Sequence, residues 1–211
     1  PSDTNDSIDT YSNASSNQLN DAVSSAKIAQ KKWEKVGIEK RANILNDIGS
    51  EIIKQSKEIG TLLSREEGKT LPEGIGEVVR SGQQFQYYAA SALRQFGENI
   101  ASTREGVSVE MTREPVGVCG IISPWNFPIA IAAWKAAPAM AFGNAVVLKP
   151  ASQTPASAIA LTKIISDQKD IPEGLFNLVL GGGGTIGNQI SGHPDIDAIS
   201  FTVSVSVGKT I

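Results

Sequence analysis

The chain has 211 residues, 40% of them hydrophobic and 19% charged, with a net charge of −3. That balance reads as a soluble globular protein of one or two domains with a sizeable core. It offers no basic footprint for nucleic acid, and no uninterrupted apolar run approaches the roughly 20 residues of a bilayer span. The richest stretch, 127–148, is broken by Lys135, Pro138, Gly143 and Asn144. The single cysteine excludes an internal disulfide and a cysteine-based zinc site. No signal-like segment opens the chain, so a cytoplasmic, reducing compartment is expected.

Residues 1–17 are rich in Ser, Asp, Asn and Thr and read as an extended arm. Leu19, Ala22, Val23, Ala26, Trp33 and Val36 then recur at helical spacing, with Ser16 as the expected N-cap. A second apolar stripe runs from Ile44 through Leu45, Ile48, Ile52, Ile53, Ile59 and Leu62 to Leu63, with Gly68 ending it. A third helix is expected from about Pro72, suited to a first turn, to Phe96. Its aromatic cluster of Phe85, Tyr87 and Tyr88 is assigned to the core. The alternation over 108–113 predicts a half-exposed strand.

After Pro115 the texture changes. Short apolar runs at 116–122, 145–148, 176–179 and 198–201 alternate with helical segments at about 129–142, 155–166 and 185–190. Thr154-Pro155 is a suitable N-cap and first-turn pair. Repeated β-α-β units with continuously apolar strands predict a parallel sheet covered by helices on both faces, with right-handed crossovers.

Four loops follow strands and precede helices: Ser123-Pro124-Trp125-Asn126, Lys149-Pro150-Ala151-Ser152, 181–187 and Thr202-Val203-Ser204. In a parallel sheet such loops converge on one edge, where ligands bind. The glycine loop fits G-x-G-x-x-G from Gly182 to Gly187, a weak signal by itself, and it follows the third strand of the unit. The segment from Val203 to Thr210 misses the phosphate-cradling NTPase pattern because a β-branched residue stands at its first glycine. Lys149, at the end of a buried strand, is assigned to an anionic or hydroxylated ligand. The Asn126 amide is placed to donate to a developing oxyanion. Cys119 is assigned to the core and His193 to a surface turn.

The segments 115–118 through 124–128, 138–144, 147–155, 172–174 and Phe201-Thr202 resemble the aldehyde dehydrogenase superfamily, in its order and spacing. Within it, 66–71 and 149–152 are similar to the branch acting on semialdehydes of the succinate and 2-oxoglutarate type. The resemblance implies a Rossmann-like α/β fold with an N-terminal helical layer (1–107), part of a bridging and oligomerising strand (108–115) and an incomplete dinucleotide-binding domain (116–211). It implies that Asn126 stabilises the oxyanion and that Trp125 and Ser123 lie at the cofactor. It further implies that Lys149 grips the adenosine ribose, that Gly183 and Gly187 lie near the adenine, and that Thr202 and Ser204 lie near the pyrophosphate. Ser152 stands where NAD-preferring members often carry Glu. A hydroxyl beside Lys149 accepts a 2′-phosphate that a carboxylate would repel, so NADP is expected, with NAD as the alternative.

By the same resemblance the substrate is an aldehyde, no metal or membrane takes part, and the parent enzyme is a homodimer or homotetramer. The family's nucleophilic Cys, its general-base Glu and its catalytic domain are expected beyond Ile211. The partner strands of 108–113 are also expected outside the chain. Val203 replaces a family glycine and is expected to crowd the cofactor. The competing reading is a non-catalytic dinucleotide-binding or interaction module. A short-chain dehydrogenase is excluded, because none of Tyr11, Tyr87 and Tyr88 has a Lys four positions on.

Overall fold

The computed structural model describes residues 3–94 and 97–211. Four helices come first: α1 (Ser16–Trp33), α2 (Ile38–Lys54), α3 (Ser56–Glu67) and α4 (Leu71–Ala92). A two-stranded element of β1 (Glu98–Ala101) and β2 (Ser108–Met111) follows. The remainder is β3 (Val118–Ile122), α5 (Ala130–Ala141), β4 (Ala145–Lys149), α6 (Pro155–Ser166) and β5 (Phe176–Leu178). A π-helical turn (Gly183–Gly187), α7 (Asn188–Ser191), β6 (Ala198–Phe201) and α8 (Val205–Gly208) complete the chain.

Among its described residues the arm has no helix or strand before Ser16, as expected, but it is anchored. The Arg65 guanidinium makes a fork of hydrogen bonds to both carboxylate oxygens of Asp6, at 2.8 and 2.7 Å, and the Ala14 amide donates to the Leu180 carbonyl. The N-cap of α1 is Ser15 instead of Ser16. Its hydroxyl accepts from the Gln18 amide while the Gln18 side chain accepts from the Ser15 amide, a reciprocal pair that Ser16 lacks.

The stripe expected as one helix is two. It breaks at Gln55, and α2 and α3 each pack against α4. Alpha2 meets α4 backbone to backbone at Gly49 and Gly82. A Cβ on either glycine would lie 2.5–2.6 Å from the other's carbonyl oxygen. Gly68 ends α3 in the left-handed region, at φ 98°. Alpha4 ends at Ala92; Phe96, its expected end, lies outside the described residues. Of its aromatic cluster only Phe85 is fully buried. Tyr88 is half-buried and makes an edge-to-face contact with an exposed Tyr87, so the core assignment of Tyr87 is corrected.

The expectation for 108–113 is also corrected. Beta2 finds an antiparallel partner inside the chain, β1, and every residue of the pair is exposed. The alternation therefore marks a hairpin standing off the core, with no buried face.

The second half matches the predicted β-α-β pattern to within two residues at most boundaries. All four strands are parallel, in the order β5-β4-β3-β6. Beta4 is buried throughout and β3 nearly so, which is why both read as continuous apolar runs. Helices flank the sheet, and one contiguous apolar core runs from Leu19 in α1 through α5 to Ile190 in α7. Polar links reinforce it: the Trp33 indole N–H donates to the Met140 carbonyl at 2.7 Å and Gln30 to the Gly143 carbonyl at 3.1 Å. The helical layer is therefore bound to the sheet by both packing and hydrogen bonds. Among the described residues no helix is long and apolar enough to cross a membrane.

Candidate functional site

Because the strands are parallel, the loops after β3, β4, β5 and β6 open on the same edge. Ile122 pairs with both Lys149 and Phe201, which aligns the ends of three strands. With about 4.8 Å between neighbours, the β4 and β6 loops lie roughly 10 Å apart.

The tightest cluster surrounds the Gly181 carbonyl. The Lys149 ammonium, 3% exposed, donates to the Pro150 carbonyl at 2.7 Å and to the Gly181 carbonyl at 3.3 Å. The Ser152 hydroxyl donates to the same Gly181 oxygen at 3.3 Å. A Cβ on Gly187 would come within 3.7 Å of the Lys149 stem. Burial pushes the Lys149 ammonium below its ordinary range. Ammonium and hydroxyl thus meet at one edge, and among the described residues their partners are carbonyls alone. The sequence expectations for Lys149, Ser152 and Gly187 come together here.

A cleft of about 420 Å³ adjoins this cluster, lined by the arm from Asp6 to Tyr11 and by Pro150 to Gln153. Its acidic residues are largely engaged: Asp6 pairs with Arg65, and Glu66 is bonded to α6. Gly183 and Gly184 are exposed, and a Cβ on either would meet only open space. The Ser123 hydroxyl is buried without a hydrogen-bond partner among the described residues. Thr202 is tied by its amide to the Ile122 carbonyl, and the Ser204 hydroxyl accepts from the Val207 amide as the N-cap of α8. Both stand at the β6 end of the edge, apart from the Lys149 cluster.

Trp125 and Phe127 are 55% and 49% exposed, and Asn126 between them is exposed too. Among the described residues the Asn126 side-chain amide has no hydrogen-bond partner. Its carbonyl, by contrast, accepts from the Lys69 ammonium at 3.1 Å. Val203 stands outside the left-handed region and packs partly against the core. The backbone there makes no demand for glycine.

Sequence reasoning missed a pair of buried carboxylates. Glu66 accepts from the Ala156 and Ser157 amides, at 2.6 and 3.0 Å, and from the Ser157 hydroxyl. Glu77 accepts from the Ile129 and Ala130 amides, both at 3.0 Å. Each satisfies the open amides of a helix that follows a strand and complements its dipole. Thr154, expected to cap α6, makes no cap bond; Glu66 has displaced it, and the Thr154 hydroxyl is buried unpaired among the described residues. The signal was present as a charge on a buried stripe: Glu66 continues Ile59 and Leu63, and Glu77 lies between Gly74 and Ser81.

Lys69 joins this system, with Glu77 at 2.5 Å, Glu67 at 2.9 Å and the Phe127 ring centroid at 4.4 Å. The Glu67 contact is an ion contact without hydrogen-bond geometry, since that carboxylate oxygen is otherwise unpartnered. Burial acts to lower the Lys69 pKa, but the Glu77 and Glu67 carboxylates together outweigh it and hold the ammonium above its ordinary value.

Cys119 is half-buried in β3. Burial, and then the nearby Asp197 carboxylate, push its thiol up to about 11 from 9.0. At pH 8 that leaves roughly a hundredth of the thiolate of an ordinary thiol. Iodoacetamide is therefore expected to alkylate the native chain about two orders of magnitude more slowly than the urea-unfolded chain; a difference under fivefold would refute the inert assignment. His193 lies in the expected surface turn, with its Nδ1 accepting from the Asp195 amide and its Nε2 facing Asn20.

A parallel sheet flanked by helices, with its loops and an ammonium–hydroxyl pair gathered on the carboxyl edge, defines a Rossmann-like α/β layer. The aldehyde dehydrogenase family model matches residues 1–211, and the chain belongs to that family. It is 39% identical to the alpha-ketoglutaric semialdehyde dehydrogenase of Bacillus subtilis (strain 168), an alignment covering all of this chain and 43% of that protein. A betaine aldehyde dehydrogenase variant of Staphylococcus aureus in complex with NAD+ superposes with a TM-score of 0.92 at 32% identity, covering 96% of this chain and 42% of that one. The NADP-dependent glyceraldehyde-3-phosphate dehydrogenase of Bacillus halodurans C-125, complexed with NADP, gives 0.89 at 35% identity, covering 94% and 42%. The chain thus spans about two-fifths of the length of these relatives.

Proposed function

We propose that this chain is the dinucleotide-binding part of an NAD(P)-dependent aldehyde dehydrogenase that oxidises an aldehyde of the semialdehyde class to a carboxylate, with NADP preferred. The observation that carries the reading is the meeting of Lys149 and Ser152 at the Gly181 carbonyl. Among the described residues the buried ammonium has no carboxylate partner, and it needs little rearrangement to turn towards ribose hydroxyls. The Ser152 hydroxyl leaves room and a donor for a 2′-phosphate. The exposed loop at Gly183 and the unpaired Ser123 hydroxyl fit the rest of a dinucleotide. When bound, the nicotinamide supplies the hydride acceptor. The chain's own residues bind it and, through the Asn126 amide, stabilise negative charge on the substrate oxygen. The semialdehyde class is supported by the 66–71 motif and by the name of the Bacillus subtilis relative.

Residues 116–211 are taken as the dinucleotide-binding unit, 1–107 as the helical layer, and the 98–111 hairpin as extending the bridging element at 108–115. A homodimeric or homotetrameric parent is part of the same proposal. The 211 residues themselves are expected to bind the dinucleotide without turning over aldehyde, because Cys119 is their only thiol and burial keeps it protonated.

Ser152→Glu tests the cofactor reading. Energy transfer from the protein's tryptophans to NADPH or NADH reports binding. The added carboxylate is expected to weaken NADPH about tenfold or more and to leave NADH unchanged or tighter. Equal loss for both cofactors removes the 2′-phosphate assignment.

A further inference from the structure

The helical layer does more than cover the sheet: it holds the turn that carries Asn126 at four residues, 126, 127, 129 and 130. From α4, Glu77 accepts both the Ile129 and the Ala130 amides through one carboxylate oxygen. Its other oxygen takes the Lys69 ammonium. Lys69 then donates to the Asn126 carbonyl at 3.1 Å and lies over the Phe127 ring. Glu77 is buried, and Lys69 stands on the short link between α3 and α4. Every polar group of the 126–130 turn named here faces this dyad, while the Asn126 side chain points to no protein partner among the described residues.

We propose that Lys69 and Glu77 are positioning residues for Asn126. They set the backbone of residues 126–130 so that the Asn126 amide is presented at a fixed place, without touching substrate themselves. The physical case is that the backbone passes here from exposed Trp125, Asn126 and Phe127 to buried Ile129 and Ala130, and the dyad bonds both sides of that junction while the Asn126 side chain stays free. A charge-assisted bond to a carbonyl is also roughly twice as strong as a neutral one. Two further features favour a directional role. The Lys69 ammonium has both Glu77 and Glu67 beside it and still reaches the Asn126 carbonyl, so its placement is directional. The analogous carboxylate, Glu66, caps α6 without any lysine and without reaching a site residue's carbonyl, as a purely structural cap would.

The inference rests on the Asn126 assignment above, and its test separates the two. Lys69→Met, Lys69→Arg, Asn126→Ala and the Lys69→Met/Asn126→Ala double variant are compared in the complete enzyme, with Glu66→Gln as a structural comparator. Displacing a reacting group by about 1 Å costs on the order of 100-fold. Lys69→Met is therefore expected to lower kcat about 10- to 100-fold, with the dinucleotide KM within about twofold. Lys69→Arg, which retains a donor and a cation, recovers most of that loss. In the Asn126→Ala background Lys69→Met costs less than about twofold further, because the group it positions is gone. Glu66→Gln lowers thermal stability but shows no such coupling to Asn126. If Asn126→Ala loses kcat and Lys69→Met adds its full loss on top, the dyad acts on stability alone and the proposal is overturned. If Asn126→Ala leaves kcat unchanged, the oxyanion assignment itself fails and the positioning role falls with it.

Discussion

Asn126→Ala in the complete enzyme is expected to lower kcat by about 100- to 1000-fold, while the aldehyde KM changes only a few-fold. Removing one preorganised oxyanion donor costs about 3–4 kcal/mol of transition-state stabilisation. The loss falls on kcat because the amide meets its full charge only as the oxyanion develops, so it contributes little to ground-state binding. The surroundings of Asn126 support the proposed role. Its carbonyl is engaged by Lys69 and the amides that follow by Glu77, which leaves the side-chain amide as the uncommitted group of the turn. Steady-state kinetics with the aldehyde varied at saturating dinucleotide check this. A kcat within threefold of wild type would remove Asn126 from the chemistry.

Lys149→Met is expected to weaken dinucleotide binding by about 100-fold while leaving the stability of the unliganded chain within about 1 kcal/mol. Charge-assisted hydrogen bonds to ligand hydroxyls contribute about 1.5–3 kcal/mol, or roughly 10- to 150-fold. In the unliganded chain the ammonium gains two carbonyl bonds but is desolvated without a counter-ion, and the two terms nearly offset. A lysine present for architecture alone would show the reverse: intact binding and a large loss of stability.

The sign of the pH dependence separates these further. Burial lowers the folded-state pKa of Lys149 below 10.5, so the unfolded chain binds more protons between the two values. The Lys149 contribution to stability is therefore greatest above 10.5 and falls away as pH drops through the lowered value. The methionine variant should lack that component. Denaturant melts of both proteins between pH 8 and 11, with dinucleotide titrations at pH 7.5, test the two halves of the prediction.

The strands and their flanking helices were legible in the sequence because their signal is local. Continuous apolar runs such as 145–148 and 118–122, punctuated by Gly and Pro, admit few alternatives to a buried parallel strand. The edge that gathers Lys149, Ser152 and Asn126 followed from that pattern alone, since strand ends in a parallel sheet share a side. The misread segments depended on partners distant in sequence. Alpha2 and α3 read as one stripe because the break at Gln55 serves packing against α4, which periodicity does not encode. The hairpin strand 98–101 went unseen because neither of its faces is buried, so it carries no hydrophobic period.

The layer architecture and the side chains that stand at its carboxyl edge are thus already written in the order of the amino acids. Both are set by hydrophobic periodicity and by the positions of strand ends. How those side chains are held depends on segments that meet only on folding. Glu66 and Glu77 come from helices that precede the sheet by many turns, yet they cap α6 and α5. Lys69 reaches across from the link between α3 and α4 to the Asn126 carbonyl. A buried carboxylate survives only where several donors converge on it, and that convergence exists only once the helices have packed on the sheet.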